Sequence, residues 1–390
     1  MPVGRDGFRQ DASRCQNSVR KLGSAESVEN PKFFPQYKKV AEIVRRRIIQ
    51  GSYSLKLFPS ERRLAEELGV NYMTVRRGLQ IIEKENMLAR LPNGRMRVKR
   101  IQQGKKAHLN FGFLTPTFTS GTVESWRMAI EKVTADLPCS VRPILYMHWD
   151  DPILMDAMEG FDGIFLVPIP ETIPESIASR LREQEHPVVV VDQDLSSYGA
   201  PSIQLFPPVF VQKLLDHFES LGHKRIGCVN TQTTCQEVED RINQWRYWIN
   251  AHGFSGRLVD ESIAPHGDPV ERGYEAMTRI LSGGKVPETA WLFITTPAAV
   301  GAMRAMLDRG IKPGKDFALG SVNGDRLASM LNPPLTSLEP PDPVPFITAC
   351  LDWMMKGGRH WKGPLLMRPS DVPLIVRESS KPGSGRGAGL

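Results

Sequence analysis

The sequence predicts an α/β protein in which a small helical head precedes a two-lobed body of doubly wound parallel sheets. Residues 35–100 show helical apolar periodicity followed by an alternating hairpin pattern. From Leu109 onward, short apolar strands alternate with amphipathic helices, which is typical of βαβ units. The alternation stops and resumes near Ser202–Pro208, which indicates a division of the body into two lobes.

The composition is that of an ordinary globular protein. The 390 residues are 41% hydrophobic and 24% charged, so a folded chain of two or three domains is expected. Apolar runs such as Pro187–Val191 are strand-sized, and Met1–Asn30 lacks the apolar core of a secretory signal. We therefore expect a cytoplasmic protein with no membrane partner. The five cysteines form no CxxC pair, so neither a metal site nor a disulfide framework is predicted.

Positive charge is concentrated at the N-terminal end. Residues 1–108 carry 24 Lys and Arg against 10 Asp and Glu, whereas the rest of the chain has a net charge of −7. A basic head on an acidic body indicates a polyanion that binds the head alone.

Five parts are expected along the chain. Residues 1–31 lack apolar periodicity and should form a disordered tail, and residues 381–390 should form a flexible tail. Residues 32–100 should form the head, 101–108 a polar linker and 109–380 the body.

Three helices and a hairpin in the head predict a winged helix-turn-helix. The first helix should begin near Pro35 and end at Gly51, and Ser60 and Asn71 are predicted N-caps of the next two. The pattern over Met87–Arg100 predicts the hairpin, or wing.

The third helix should present a polar, basic face to the major groove of DNA. Tyr72, Arg76 and Gln80 recur every four residues away from the apolar stripe, and Arg77 lies nearby. The wing carries three arginines suited to phosphate or minor-groove contact, namely Arg90, Arg95 and Arg97. We therefore predict double-stranded DNA as a partner.

The head also resembles the GntR family of winged helices over about residues 35–100. The resemblance is carried, in order, by Tyr37–Ala41, Pro59–Ala65, Leu68–Val70, Thr74–Leu79 and the wing. It implies DNA contacts from Arg62, Asn71, Tyr72, Met73, Thr74, Arg76, Asn93 and Gly94, to which we add the basic neighbours Arg77 and Arg95. The family often has Arg where this chain has Tyr72, so the operator sequence does not carry over.

Residues 109–380 resemble the effector domain of the LacI/GalR family, which is similar to type I periplasmic binding proteins. The segments that carry the resemblance are Phe161–Pro168, Pro187–Asp192, Leu221–Ile226, Asn332–Ser337 and Val376–Ser380. It implies a small-molecule effector between the lobes, beyond the carboxyl ends of the strands, with Arg241 holding ligand hydroxyls. The predicted effector-binding residues are Phe118, Trp149, Asp192, Phe206, Arg241, Thr296 and Asn323.

Three of these positions depart from the family pattern. Phe206 replaces a polar residue, Thr296-Pro297 replaces an Asn-Asp pair, and Asn323 replaces an Asp that grips a sugar hydroxyl. Losing carboxylates removes strong acceptors for hydroxyl groups, which favours a different ligand, either anionic or more apolar. Two alternatives stay open, namely a body that only dimerises and a sugar pocket with shifted contacts.

These observations predict a transcription regulator, a repressor by family analogy, that binds a near-palindromic operator as a homodimer. The effector is unknown. No catalytic residue, metal or cofactor is predicted, because the sequence has no Gly-rich phosphate loop, HExxH or GxSxG motif. An enzyme-like body acting on a small metabolite is the alternative from another class.

Overall fold

The computed structural model describes most of the chain between residues 35 and 381. The described ranges are 35–55, 58–92, 94–99, 101–103, 106–117, 120–183, 187–264, 266–324, 326–358 and 360–381. Two predicted site residues, Asn93 and Phe118, lie outside them, as do the tail 1–31 and nearly all of 381–390.

The head is a three-helix unit with a two-stranded wing, as predicted. Its helices and strands are α1 (Gln36–Ile49), α2 (Glu61–Leu68), α3 (Tyr72–Lys84), β1 (Leu88–Arg90) and β2 (Met96–Val98). The two strands pair antiparallel.

Both predicted N-caps of the head are confirmed. Ser60 Oγ accepts a hydrogen bond from the Arg63 amide at 3.2 Å, and Asn71 Oδ1 accepts one from the Met73 amide at 2.8 Å. Gly69 adopts a left-handed φ of 62° and ends α2. The sharp turn between α2 and α3 therefore follows from local sequence.

A close approach of α1 and α3 holds the head together. A Cβ atom at Gly78 of α3 would lie 2.9 Å from the Tyr37 carbonyl oxygen and 2.9 Å from Val40 Cγ1. The buried stripe of α3, formed by Val75, Leu79 and Ile82, packs against α1 only at this separation.

We expect Gly78→Ala to destabilise the head by about 1–3 kcal/mol, because the new methyl group overpacks the contact between the helices. Hydrogen exchange of α1 and α3 amides would measure the change. Gln80→Ala, at an exposed position of the same helix, is the control and should have little effect. Unchanged exchange in Gly78→Ala would contradict the packing described here.

The first lobe of the body is a sheet of six parallel strands in the order β5-β4-β6-β7-β8-β14. The strands are β4 (Lys106–Pro116), β5 (Cys139–Tyr146), β6 (Gly163–Leu166), β7 (Val188–Val191), β8 (Ser202–Ile203) and β14 (Leu366–Met367). The helices are α4 (Gly121–Thr134), α5 (Pro152–Gly160), α6 (Glu175–Glu183) and α12 (Val344–Met355). β7 consists of four buried valines, which suits a central strand covered on both faces.

The second lobe repeats this architecture, with strand order β10-β9-β11-β12-β13-β15. Its strands are β9 (Ile226–Asn230), β10 (Leu258–Asp260), β11 (Ala290–Phe293), β12 (Ala318–Ser321), β13 (Thr336–Leu338) and the antiparallel β15 (Leu374–Ile375). Its helices are α7 (Val211–Ser220), α8 (Gln236–Ala251), α9 (Pro269–Ser282), α10 (Thr296–Leu307) and α11 (Arg326–Met330). The predicted two-lobed, doubly wound α/β fold is confirmed.

The chain crosses between the lobes three times, although the sequence pattern indicated a single division near Ser202–Pro208. After β13 it returns to the first lobe, where α12 packs against α4 and β14 pairs with β8. It then crosses again to place β15 beside β13. The short β14 and β15 leave no alternation in the sequence, which is why the later crossings were not predicted.

The stretch predicted as a linker is partly paired. β3 (Ile101–Gln103) runs antiparallel to the beginning of β4, with Ile101 opposite His108. The head also contacts the first lobe directly. Ser140 Oγ donates to the Ile49 carbonyl at 2.8 Å, and Arg142 Nη1 donates to the Gly51 carbonyl at 2.9 Å. Within the described ranges, no helix is long and apolar enough to cross a bilayer.

Candidate nucleic-acid interface and inter-lobe cleft

The N-terminal half of α3 presents an exposed, basic surface. Six of the predicted DNA-binding side chains are exposed there or on the adjoining α2, namely Arg62, Asn71, Tyr72, Met73, Arg76 and Arg77. Thr74 is half-buried. Between the two helices lies a shallow depression of 420 Å³, whose lining includes Arg62, Gly69 and Tyr72.

Glu61 connects α2, α3 and the wing beneath this surface. Burial alone would raise the pKa of Glu61, but hydrogen bonds from Tyr72 and Arg90 outweigh it and lower the pKa. The Tyr72 hydroxyl, at the first turn of α3, therefore donates to the Glu61 carboxylate at the first turn of α2. Arg76 adds positive charge to the same corner.

The sequence predicts a phosphate or minor-groove contact for Arg90, whereas the structure gives this side chain partners inside the head. Its guanidinium pairs with Glu61 at 2.9 Å and with Glu83 at 3.4 Å, so it joins the wing to the helices. Arg95 and Arg97 are exposed on the wing, and Gly94 has a φ of 79° that suits its turn. These residues leave the wing tip basic.

The cleft between the lobes centres on Arg241, a residue of α8 that is 9% exposed. Its guanidinium lies 5.7 Å from the ring centroid of Phe206, and its Nη1 donates to the Ile294 carbonyl at 3.4 Å. Phe206 belongs to the first crossing between the lobes, so two of the predicted effector residues meet here.

Two carboxyl groups face Arg241 from opposite lobes. Asp192 directly follows β7, with a φ of 80°, and Glu237 lies in the first turn of α8. Burial raises the pKa of Asp192, and the Arg241 charge offsets part of that rise. Burial, together with the nearby Asp192 carboxylate, raises the pKa of Glu237 to about 8.

Thr296 and Asn323 lie at the carboxyl ends of β11 and β12, as the fold requires of ligand positions. Thr296 Oγ1 donates to the Asn323 carbonyl at 3.0 Å. Asn323 Nδ2 donates to Thr122 Oγ1 at 3.0 Å, and Thr122 belongs to α4 of the first lobe. The two lobes are thus in direct contact across the cleft.

Trp149 does not join this group. It packs in the core of the first lobe beside Tyr146 and Leu154, and its indole N–H donates to the Glu171 carbonyl at 3.2 Å. Trp245 is likewise a core residue, whose indole N–H donates to the Ile226 carbonyl. Both aromatic side chains are held where a ligand ring would have no access.

Sequence reasoning missed Glu237 and Gln204. The Gln204 side chain hydrogen-bonds to Glu237 and accepts a hydrogen bond from Arg368 Nε at 2.8 Å. The available signal was the spacing of Glu237 and Arg241, which are four residues apart on one face of a helix.

The described residues include one group of three that suits a metal ion, formed by Asp216, Glu219 and His252. All three are exposed, and Asp216 already accepts the Trp248 indole N–H at 2.7 Å. We assign this group no role. The described cysteines, Cys139, Cys228, Cys235 and Cys350, are free thiols.

Two family models match the chain. A model of bacterial regulatory proteins of the gntR family matches residues 36–98, and a model of periplasmic binding protein-like domains matches residues 215–380. The fold and these matches define a transcription regulator with a GntR-type helix-turn-helix head and a periplasmic-binding-protein-like body.

The body is similar to that of LacI/GalR-type regulators. The HTH-type transcriptional regulator GalR of Streptococcus thermophilus is 27% identical over 262 residues, covering 65% of this chain and 72% of that protein. MalR of Streptomyces coelicolor is 28% identical over 166 residues, covering 42% and 48%. The repressor CytR of Escherichia coli is 28% identical over 191 residues, covering 47% and 54%. The last two matches thus span about half of each relative.

Solved structures of LacI-type regulators share the fold. A LacI family regulator from Enterococcus faecium with bound ribose has a TM-score of 0.60 at 18% identity, covering 70% of this chain and 100% of that one. CcpA of Lactococcus lactis has a TM-score of 0.56 at 20% identity, covering 70% and 99%. The lac repressor dimer bound to operator and the anti-inducer ONPF has a TM-score of 0.56 at 21% identity, covering 71% and 95%.

Proposed function

We propose that this protein is a sequence-specific repressor whose operator affinity changes when a small molecule binds between the lobes. The observation that carries the proposal is the exposed basic face of α3, formed around Tyr72 and Arg76. The proposed DNA contacts are Arg62, Asn71, Tyr72, Met73, Thr74, Arg76, Arg77, Asn93, Gly94 and Arg95. The proposed effector contacts are Asp192, Phe206, Arg241, Thr296 and Asn323.

A symmetric homodimer on a near-palindromic operator is part of the proposal. Two recognition helices about one helical turn apart require half-sites related by the same two-fold symmetry. Three apolar side chains on the first lobe are 58–62% exposed, namely Met128, Leu145 and Met147. An exposed apolar surface of this kind favours contact with a second copy of the chain.

The contact between head and body gives the effector a route to the DNA. Ser140 and Arg142 of β5 hold the Ile49 and Gly51 carbonyls at the end of α1. A change in the angle between the lobes would move β5 and with it the head, changing the half-site spacing that the dimer offers. Residues 101–108 provide the covalent connection.

The proposal assigns the protein to the cytoplasm and gives it no catalytic role. The relatives are regulators, and the proposed roles of the head and the cleft require binding alone. The proposed domain limits are 32–100 for the head and 109–380 for the body.

Selection of bound fragments from a genomic DNA library by the full-length protein tests the proposal. We expect successive rounds to enrich fragments that share one near-palindromic motif. Fragments that stay unrelated in sequence after several rounds would overturn the assignment of a sequence-specific regulator.

A further inference from the structure

The inter-lobe cleft contains more negative than positive ionisable groups. Asp192 and Glu237 face one buried guanidinium, that of Arg241, and Asp240 lies close enough to Glu237 to influence its ionisation. The next cation, Arg368, is engaged by Gln204 and lies 3.7 Å from Asp194. Within the described part of the chain, Arg241 is the only cation that acts on both carboxyls, so the second of them is held protonated rather than charged.

Among the residues that the structure describes, three polar atoms near Arg241 find no hydrogen-bond partner. They are Glu237 Oε1, Arg241 Nε and Trp126 Nε1, and all three atoms are buried. Trp126 is 1% exposed and Arg241 9%. The Trp126 indole N–H lies near enough to Asp192 to lower the pKa of that carboxyl, but it forms no hydrogen bond of normal geometry. Native interiors rarely leave such groups unpaired, so a cluster of three indicates a missing partner.

The chemistry of that partner follows from these atoms. Asp192 and Glu237 can be ionised together only beside a further cation, whereas Arg241 Nε and Trp126 Nε1 require a hydrogen-bond acceptor. We infer that the effector is a small amine that also carries a hydroxyl or ether oxygen, and this inference rests on the proposed effector function. The ammonium group of the amine would lie between Asp192 and Glu237. An anionic ligand, one of the two classes that the sequence favours because family carboxylates are missing, would meet two carboxyl groups.

Binding of such a cation is coupled to the release of a proton from Glu237. In the empty cleft, burial and Asp192 hold the pKa of Glu237 at about 8, so most of this carboxyl is protonated at pH 7. The groups that influence it are Asp192, Asp240, Arg241 and Gln204. An ammonium group placed beside Glu237 favours the carboxylate and displaces the proton. Affinity for the amine should therefore rise as the pH increases from 6 to 8.

Matched ligands test the inference on the full-length protein. The amines are glucosamine, galactosamine and ethanolamine, the neutral counterparts are glucose, galactose and ethylene glycol, and the acids are glucuronate, galacturonate and glycolate. We expect at least one amine to raise Tm and to bind in calorimetry with proton release, measured by comparing two buffers. An acid or neutral compound that binds as tightly as its amine, or no amine that binds, would overturn the inference.

Variants on one helix assign the effect to Glu237. Glu237→Gln keeps the shape of the side chain and is expected to lower amine affinity at least tenfold and to remove the proton release. Glu239→Gln, at an exposed position two residues away, should match the parent. If Glu237→Gln binds the amine as tightly as the parent, the inference is wrong.

The same preparation separates this inference from the function on which it rests. Failure of every amine, with selective operator binding intact, overturns only the ligand class. Failure of operator selection overturns the regulator assignment, while calorimetry with the amines still reports on the cleft.

Discussion

Arg76→Ala is expected to lower the affinity of the full-length protein for its selected operator by about 10–100-fold, because one bidentate arginine–guanine contact contributes about 1–3 kcal/mol of discrimination. Affinity for random duplexes should change much less, since that binding depends on phosphate contacts spread over the head. Arg62→Ala, on the neighbouring helix, should also remove selective retention. Gel-shift titration against selected and scrambled duplexes measures both variants.

A matched control for these variants is Arg304→Ala, which removes the same charge from an exposed position of the second lobe. It should retain the operator as the parent does. If Arg76→Ala and Arg62→Ala also retain it, α3 and its surroundings do not contact the bases.

Arg241→Ala should lower the free energy of unfolding of the body by about 1–3 kcal/mol at pH 8, because the carboxyls of Asp192 and Glu237 lose the positive charge beside them. The substitution leaves the half-buried side chains of Asp192 and Glu237 in the cleft without this cation. The loss should shrink at pH 5.5. Carboxyls whose pKa is raised in the folded state destabilise it as the pH rises from their unfolded value, near 4.5, toward the folded value. At pH 5.5 the Glu237 carboxyl, whose folded pKa is about 8, is neutral in both the parent and the variant.

Denaturant unfolding at the two pH values measures this difference. Arg246 is exposed on the same helix, so Arg246→Ala controls for the loss of an arginine. It should lower the free energy of unfolding far less than Arg241→Ala at either pH. Equal costs for Arg241→Ala at pH 5.5 and pH 8 would show that the carboxyls of the cleft do not depend on Arg241.

The head was predictable nearly residue by residue because its signals are local. Caps at Ser60 and Asn71 and the stripe Val75, Leu79 and Ile82 are each set by neighbours within a helical turn. Gly78 shows where this ends. The need for a glycine at this position depends on its distance to Tyr37, which only the packed structure reveals.

The cleft was predictable only in part. Arg241 and Asn323 followed from the family pattern, and both lie between the lobes. Glu237 did not, because a glutamate in the first turn of a helix usually interacts with its dipole at the surface. Here the fold turns it toward Asp192, a residue 45 positions earlier in the chain. Trp149, in contrast, was predicted to contact the effector, but its side chain belongs to the core of the first lobe.

The most direct measurement of the central claim is the ratio of two dissociation constants for the full-length protein at one fixed, physiological salt concentration. Fluorescence anisotropy would compare a duplex obtained by selection with a scrambled duplex of equal length and base composition. A sequence-specific regulator is expected to bind the selected duplex at least about 10³-fold more tightly. Equal affinity for the two duplexes would contradict the account.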